Sequence, residues 1–307
     1  MQSDSASKHS APVLPIISLL ITASLWGVSW YPLRIAESHG MTGIWTTLLA
    51  YSGALMVGLV FFRAQLKGIK QHPLLLFVIV LSNGWLNVAF ILAVIDGNVI
   101  RVILLFYLSP VWSTLLGGLL LKERISTWSL ATLIVAMAGA MTMLWDPKLG
   151  FPWPQDYTDW LAITSGMAFS VSNVTVRKLQ AVSIGLKTVA AWVGATTVAT
   201  LWILFSNAEL PVVADSVWGW VLLIGTMMII VMTLCVQYGV THMPVYQSAI
   251  ILLFELIAAA LSQQWLSDEV NTAKEWIGGA MIMLAGYLSA RAMMKQDASK
   301  HFSTIGQ

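Results

Sequence analysis

Charge is what this chain has least of. Asp, Glu, Lys and Arg make up 10% of its 307 residues, while 58% are hydrophobic and the mean hydropathy is +0.79. Soluble domains carry about 25% charged residues, so a soluble globular fold is excluded. The 16 basic and 14 acidic residues leave a net charge of +2. The basic residues are scattered through short polar stretches and form no patch for nucleic acid. Cysteine is nearly absent. Cys235 stands alone in an apolar run, which excludes an internal disulfide and a cysteine-based metal site and reads as a small buried hydrophobe. The apolar runs lack the paired acids, Ser/His pairs or metal-ligand clusters that an intramembrane enzyme needs, and the chain has no cofactor motif. A channel or receptor would need a ring of pore charges or a soluble sensing domain. Neither is present.

What is there is apolar length. The runs predict an all-α integral membrane protein of ten transmembrane helices, over 13–36, 42–63, 73–96, 98–121, 126–145, 158–179, 186–206, 216–240, 244–266 and 272–294. Each approaches the roughly 20 residues that cross a hydrocarbon layer of about 30 Å. The first run begins near Val13 behind a leader whose only basic residue is Lys8, and continues to Ile35 with no clean cleavage site. That suits a spanning helix better than a signal peptide. The longest connector holds Pro147, Gly150, Pro152 and Pro154 and divides the chain. The expected organisation is a cytoplasmic tail 1–12, a first five-helix repeat 13–145, a loop 146–157, a second five-helix repeat 158–294, and a cytoplasmic tail 295–307.

Charge asymmetry gives the expected orientation. With the amino terminus in the cytoplasm, Lys8, Arg63, Lys67, Lys70, Lys122, Arg124, Arg177, Lys178, Lys187, Arg291, Lys295 and Lys300 fall inside. Only Arg34, Arg101, Lys148 and Lys274 fall outside. By the positive-inside rule both termini of this multi-pass protein are expected in the cytoplasm.

The two halves echo one another. Ile103-Leu104-Leu105-Phe106 leads to Leu121-Lys122-Glu123-Arg124-Ile125, and Ile251-Leu252-Leu253-Phe254 leads to Trp265-Leu266-Ser267-Asp268-Glu269-Val270. Glu123 falls on Glu269. Leu25-Trp26-Gly27-Val28-Ser29-Trp30 precedes Arg34 as Ala168-Phe169-Ser170-Val171-Ser172-Asn173 precedes Arg177. An odd helix count per half makes the repeats inverted in topology, the plan of many secondary transporters, with a site between halves near the midplane. The Leu-Trp-Gly stretch and the Pro110-containing helix ending in Leu-Lys-Glu-Arg-Ile resemble the drug/metabolite transporter superfamily. Within it the chain is most similar to bacterial YddG-type aromatic amino acid exporters. That resemblance implies export of amino acids, aromatic or neutral, by alternating access of a central cavity; the alternative is export of other small organic solutes such as cationic drugs. The second half departs from the first in having Leu256 opposite Pro110 and Glu255 opposite Ser109.

Candidate site residues follow from polar and aromatic types inside the spans. Asn83 and Asn87 lie four apart on one helix face and should point away from lipid, either to bind a zwitterion or to bond between helices. Trp26, Ser29 and Trp30 form a stripe that either lines a cavity or anchors the helix at the interface. Their counterpart Asn173 would face them. Tyr107, Ser109 and Pro110 fall in mid-helix, where the proline frees the carbonyl of Phe106 and makes either a hinge or a static kink. Glu255 is the one acid deep in a span, expected to couple protons or bind an ammonium, or else to hydrogen-bond a neighbour such as Tyr246 or Gln247. Those two residues are candidate polar contacts themselves. Arg101 could attract a substrate carboxylate, or pair with Asp96, or snorkel. Ala136 and Ala140, with Gly279 and Gly286, read as close-packing positions on supporting helices or at a dimer seam. The oligomeric state is open.

Overall fold

In hydrocarbon every backbone N–H and C=O must find a partner within the protein, and the helix supplies them all locally. All regular structure among the described residues of the computed structural model is accordingly helical. These residues are 13–147, 153–267 and 271–305. The amino-terminal tail with Lys8, the middle of the inter-repeat loop with Lys148, Glu269 and the side chains of the carboxy-terminal tail lie outside the described set.

The first half comprises α1 (Val13–Val28), α2 (Trp30–Ser38), α3 (Gly43–Phe61), a 3-10 turn (Gln65–Lys70), α4 (Pro73–Asp96), α5 (Val99–Phe106), α6 (Ser109–Leu121) and α7 (Thr127–Leu144). The second comprises α8 (Tyr157–Lys178), α9 (Ile184–Ser206), α10 (Asp215–His242), α11 (Val245–Leu252), α12 (Phe254–Leu266) and α13 (Ala273–Ile305). Eight spans are long and apolar enough to cross a membrane, with α1–α2, α5–α6 and α11–α12 each counting as one. Of the ten expected spans, α13 is not among them, nor is α8. Helix α8 carries Ser165, Ser170, Ser172, Asn173 and Thr175, and these are buried in the bundle, not turned to lipid. The outer surface is apolar instead, with Phe61, Leu119, Phe205 and Leu223 among its most exposed side chains.

Three expected helices are broken, for different reasons. The first bends at Ser29, whose N–H and hydroxyl both turn back to the carbonyl of Trp26 (3.1 and 2.7 Å). Pro32 has no N–H to give to Val28 one turn earlier. Pro110 sits in the first turn of α6, not in mid-helix, where its missing N–H costs least. The freed carbonyl of Phe106 meets Gly166, where a Cβ would come within 2.7 Å of it. The second half breaks at the equivalent place, Leu253, with Leu256 in place of proline. Proline is therefore not the common cause of the two breaks.

Helix α4 packs on α8 and α9, α3 on α9 and α10, α1 on α10, α11 and α12, α8 on α5 and α6, and α7 on α13. The close approach of α7 and α13 is made by residues other than those the small-residue pattern singled out. A Cβ on Gly139 would lie 2.7 Å from the carbonyl oxygen of Gly278, and one on Gly278 would lie 2.5 Å from that of Gly139. Gly279 has only Ile257 within reach, at 3.6 Å, and Gly286 has open space. Ala136 and Ala140 are buried in the same intramolecular core, beside Ile282 and Ala285. Gly139→Ala should therefore lower Tm in detergent, at a cost of about 1–3 kcal/mol. Gly286→Ala should leave Tm unchanged, and equal effects from the two would show that this seam is not the tight one.

Candidate functional site

A cavity of about 360 Å³ lies between the halves. Its walls come from α1 and α2, α3, α4, the α5–α6 break, α8, α9, α10 and the α11–α12 break. None of its lining belongs to α7 or α13, which support the bundle from outside. Of the expected site residues, the structure brings Trp26, Ser29, Asn83, Asn87, Tyr107, Ser109, Pro110, Asn173 and Glu255 to this one space.

Four expected residues go elsewhere. Trp30 donates its indole N–H to Ser262 Oγ (2.8 Å), tying the start of α2 to α12. Tyr246 and Gln247 are buried in α11 and do not reach the cavity, so neither is the neighbour of Glu255. That neighbour is Tyr107, whose hydroxyl faces the Glu255 carboxyl. Arg101 faces away from the cavity and is ion-paired with Asp159, not Asp96. Its Nε donates to both carboxylate oxygens (2.9 and 2.7 Å), and an NH2 group meets the carbonyl of Trp153. With a carboxylate already in its grip, Arg101 has no role in attracting one from a solute. Asp96 accepts instead from Tyr157 Oη (2.5 Å).

Bonds within the protein sort the polar lining. Asn83 Nδ2 donates to Ile79 O (3.1 Å) and to Ser172 Oγ (2.7 Å), so α4 is stitched to α8. Asn87 donates to the carbonyl of Asn83 (2.8 Å) and accepts from Tyr51 Oη (2.9 Å). Ser113 Oγ donates to Ser170 Oγ (3.0 Å), which donates to the carbonyl of Ser109 (2.8 Å). The Asn173 side chain has no hydrogen-bond partner among the described residues although the residue is only 7% exposed. Gln237 Oε1 is buried without a partner. Both amides line the cavity, and buried polar groups of this kind normally find a partner.

Tyr51, Gln237, Phe90 and Phe106 are among the lining residues that the sequence did not single out. The polar tip of Tyr51 in an otherwise apolar helix and the lone amide of Gln237 were the available signals. The two phenylalanines carried none, because a buried phenylalanine in a span is ordinary packing. With Trp26, Phe169 and Tyr107 they form a continuous aromatic row. Ring centroids lie 5.9 Å apart for Trp26–Phe169 and Phe106–Phe169, 5.0 Å for Phe90–Phe106 and 5.7 Å for Phe106–Tyr107.

Below the cavity the bundle is sealed. Leu19, Leu76, Leu179, Leu186, Val240 and Met243 pack in one buried cluster that draws on both halves. At the same end Glu123 accepts from the Val245 N–H (3.1 Å) and pairs with Arg177 (3.6 Å). Arg177 donates to the carbonyl of Thr241 (2.5 Å). Lys187 is fully buried and donates to Thr241 Oγ1 (2.6 Å) and to the carbonyls of Leu179 (3.2 Å), just past α8, and of Val176 (3.4 Å) in its last turn. The ammonium thus caps the carboxy-terminal end of α8, where a cation is favoured. Burial raises the Glu123 carboxyl above its ordinary value, partly offset by the Val245 N–H and by Arg177.

These features define a polytopic helical membrane protein with a solute-sized cavity between its two halves. Residues 13–145 match the EamA-like transporter family. The chain is 24% identical over 221 residues to an uncharacterized transporter of Synechocystis sp., an alignment that covers 67% of this chain and 62% of that protein. It therefore spans less than two thirds of the length of this curated relative. A solved crystal structure superposes with a TM-score of 0.73 at 19% identity, covering 90% of this chain and 95% of the other. That likeness concerns the fold alone. The family match covers the first half of the chain, and the superposed structure shows a shared fold.

Removing the partner of a fully buried carboxylate leaves an uncompensated charge, so Arg101→Met should cost about 3–5 kcal/mol of stability. Adding Asp159→Leu to it should restore much of the loss, and a fully additive double variant would show that the pair does not act as a unit. Glu123 supplies a pH signature. Its raised folded-state pKa means that the protonated form favours the folded protein. That contribution is complete below the ordinary glutamate value of 4.5 and is lost as pH rises through the raised one. Glu123→Gln should therefore gain in Tm relative to wild type as pH rises from 4.5 to neutral. A gap that narrows over this range would contradict the assignment.

Proposed function

We propose that the protein is a secondary transporter that exports amino acids, aromatic or neutral, across the bacterial inner membrane. The observation that carries this reading is one cavity lined from both halves and sealed at the Glu123 end. Alternating access then requires that the seal open while the opposite end closes. Pairing of the helices supports two inverted five-helix repeats. Helix α4 sits on α8 as α10 sits on α1, α4 on α9 as α10 on α3, and the broken α5–α6 on α8 as the broken α11–α12 on α1. Under this symmetry α7 and α13 exchange places across their glycine contact. The basic residues gathered at the Glu123 end support a cytoplasmic position for that end and for both termini.

In this reading the aromatic row accepts the side chain of the solute, in keeping with the resemblance to YddG-type exporters. Asn173, Gln237 and the free groups of Asn83 and Asn87 hold its polar part. Glu255 is the group that would exchange a proton for the solute. One observation favours a second reading, export of cationic drugs or other small organic cations: Glu255 is the one charged side chain of the described lining.

Counterflow in proteoliposomes tests both. Vesicles loaded with unlabelled solute should transiently accumulate labelled phenylalanine or threonine, and Asn173→Leu should raise KM roughly fivefold, the worth of one hydrogen bond, without loss of insertion. Accumulation of an organic dication alone would favour the second reading. Silence of folded protein toward the whole panel would remove the transport assignment of this cavity.

A further inference from the structure

The cavity has a charge sign. Its described lining holds one carboxyl, Glu255, and no lysine, arginine or histidine. Arg34, beside the lining residue Leu33, is exposed and outside the lining, and the more buried cations are engaged elsewhere. Arg101 grips Asp159, Arg177 is held by Thr241 and Glu123, and the three donor positions of Lys187 are occupied by Val176, Leu179 and Thr241. A carboxylate arriving in the cavity would meet a like charge with no basic group to offset it, a costly arrangement at low dielectric.

An ammonium meets the opposite situation. Glu255 stands beside Tyr107 at one end of the aromatic row, and ring faces attract cations. The unsatisfied Gln237 Oε1 and Asn83 Oδ1, whose neighbouring Nδ2 is already committed to Ile79 and Ser172, are acceptors. A primary ammonium has three donors and no acceptor, which complements such a wall. The phenol of Tyr107 can keep one carboxylate oxygen while the other receives the ammonium.

We infer that the cavity recognises its solute by the ammonium group and gains nothing from a carboxylate. Its preferred class is primary amines with an aromatic or bulky apolar body, including amino acid amides and esters, ahead of the free zwitterions. The inference rests on the reading of this cavity as the transport site and narrows the substrate class for that site. With an amine bound, Glu255 and solute sum to zero charge; with a zwitterion the pair carries a net negative charge.

The test uses the full-length protein and four probes that share one phenyl group: 2-phenylethylamine, phenylalaninamide, phenylalanine and 3-phenylpropionate. Binding is measured by titration calorimetry in detergent, and flux by counterflow in proteoliposomes. The amine and the amide should bind about tenfold or more tightly than phenylalanine, the difference expected for a hydrogen-bonded charge, and 3-phenylpropionate should not compete. Glu255→Gln should abolish the advantage of the amine, while Glu255→Asp, which keeps the charge if the glutamine variant fails to fold, should retain it. Phenylalanine binding as tightly as its amide, or competition by 3-phenylpropionate, would overturn the inference and leave the transport reading intact. Tight amine binding without counterflow of any probe would overturn the transport reading and leave the charge selectivity standing. Absence of binding by all four probes to folded protein would overturn both.

Discussion

The structure depends on keeping one polar helix out of lipid. Helix α8 carries a run of serine, threonine and asparagine that hydrocarbon cannot satisfy, and each such group exposed to lipid would cost several kcal/mol. The solution is to surround it. Helix α4 covers one side and meets it through Asn83 and Ser172. Helix α6 covers another and meets it through Ser113 and Ser170. Gly166 lets the α5–α6 break approach at backbone distance. The cavity is the space that remains where Asn173 has no such neighbour. Fold and candidate site therefore have one origin: the side chains that force α8 inward are the same ones that leave polar groups facing a void.

The two ends of the bundle are held by different chemistry. At the Arg101 end, an ion pair with a fully buried aspartate joins α5 to the start of α8. At the Glu123 end the bonds run between helix termini. A carboxylate meets the first N–H of α11, an ammonium meets the carbonyls at the end of α8, and Arg177 and Lys187 share Thr241 of α10. These groups would be orphaned at any helix end and can be satisfied equally well by water. Such bonds are cheap to exchange for solvent, unlike the apolar cluster beside them, whose exposure on opening would be the larger cost.

How much could be read in advance differs from residue to residue. Asn83, Asn87 and Asn173 were legible as inward-facing because amides in a span have nowhere else to go. Glu255 was legible for the same reason. The partner of Glu255 was not: Tyr246 and Gln247 are near it in sequence, whereas Tyr107 comes from the other half of the chain. Arg101 was misread because its real partner, Asp159, lies across the inter-repeat loop. Trp30 was misread because a tryptophan facing Ser262 and one facing a cavity have the same sequence signature. The break at Leu253 had no signal at all, since Leu256 stands where the first half has its proline.

By itself the sequence determined that this chain is a helical membrane protein, where its apolar spans run, and which polar groups must avoid lipid, because those properties follow from local composition and from a solvent that offers no hydrogen bonds. Only the tertiary structure decided which of those polar groups satisfy one another and which are left facing a cavity. That outcome depends on distances between helices far apart in the chain, set by close approaches such as Gly139 to Gly278 and Gly166 to Phe106, and no periodicity within a single helix encodes them.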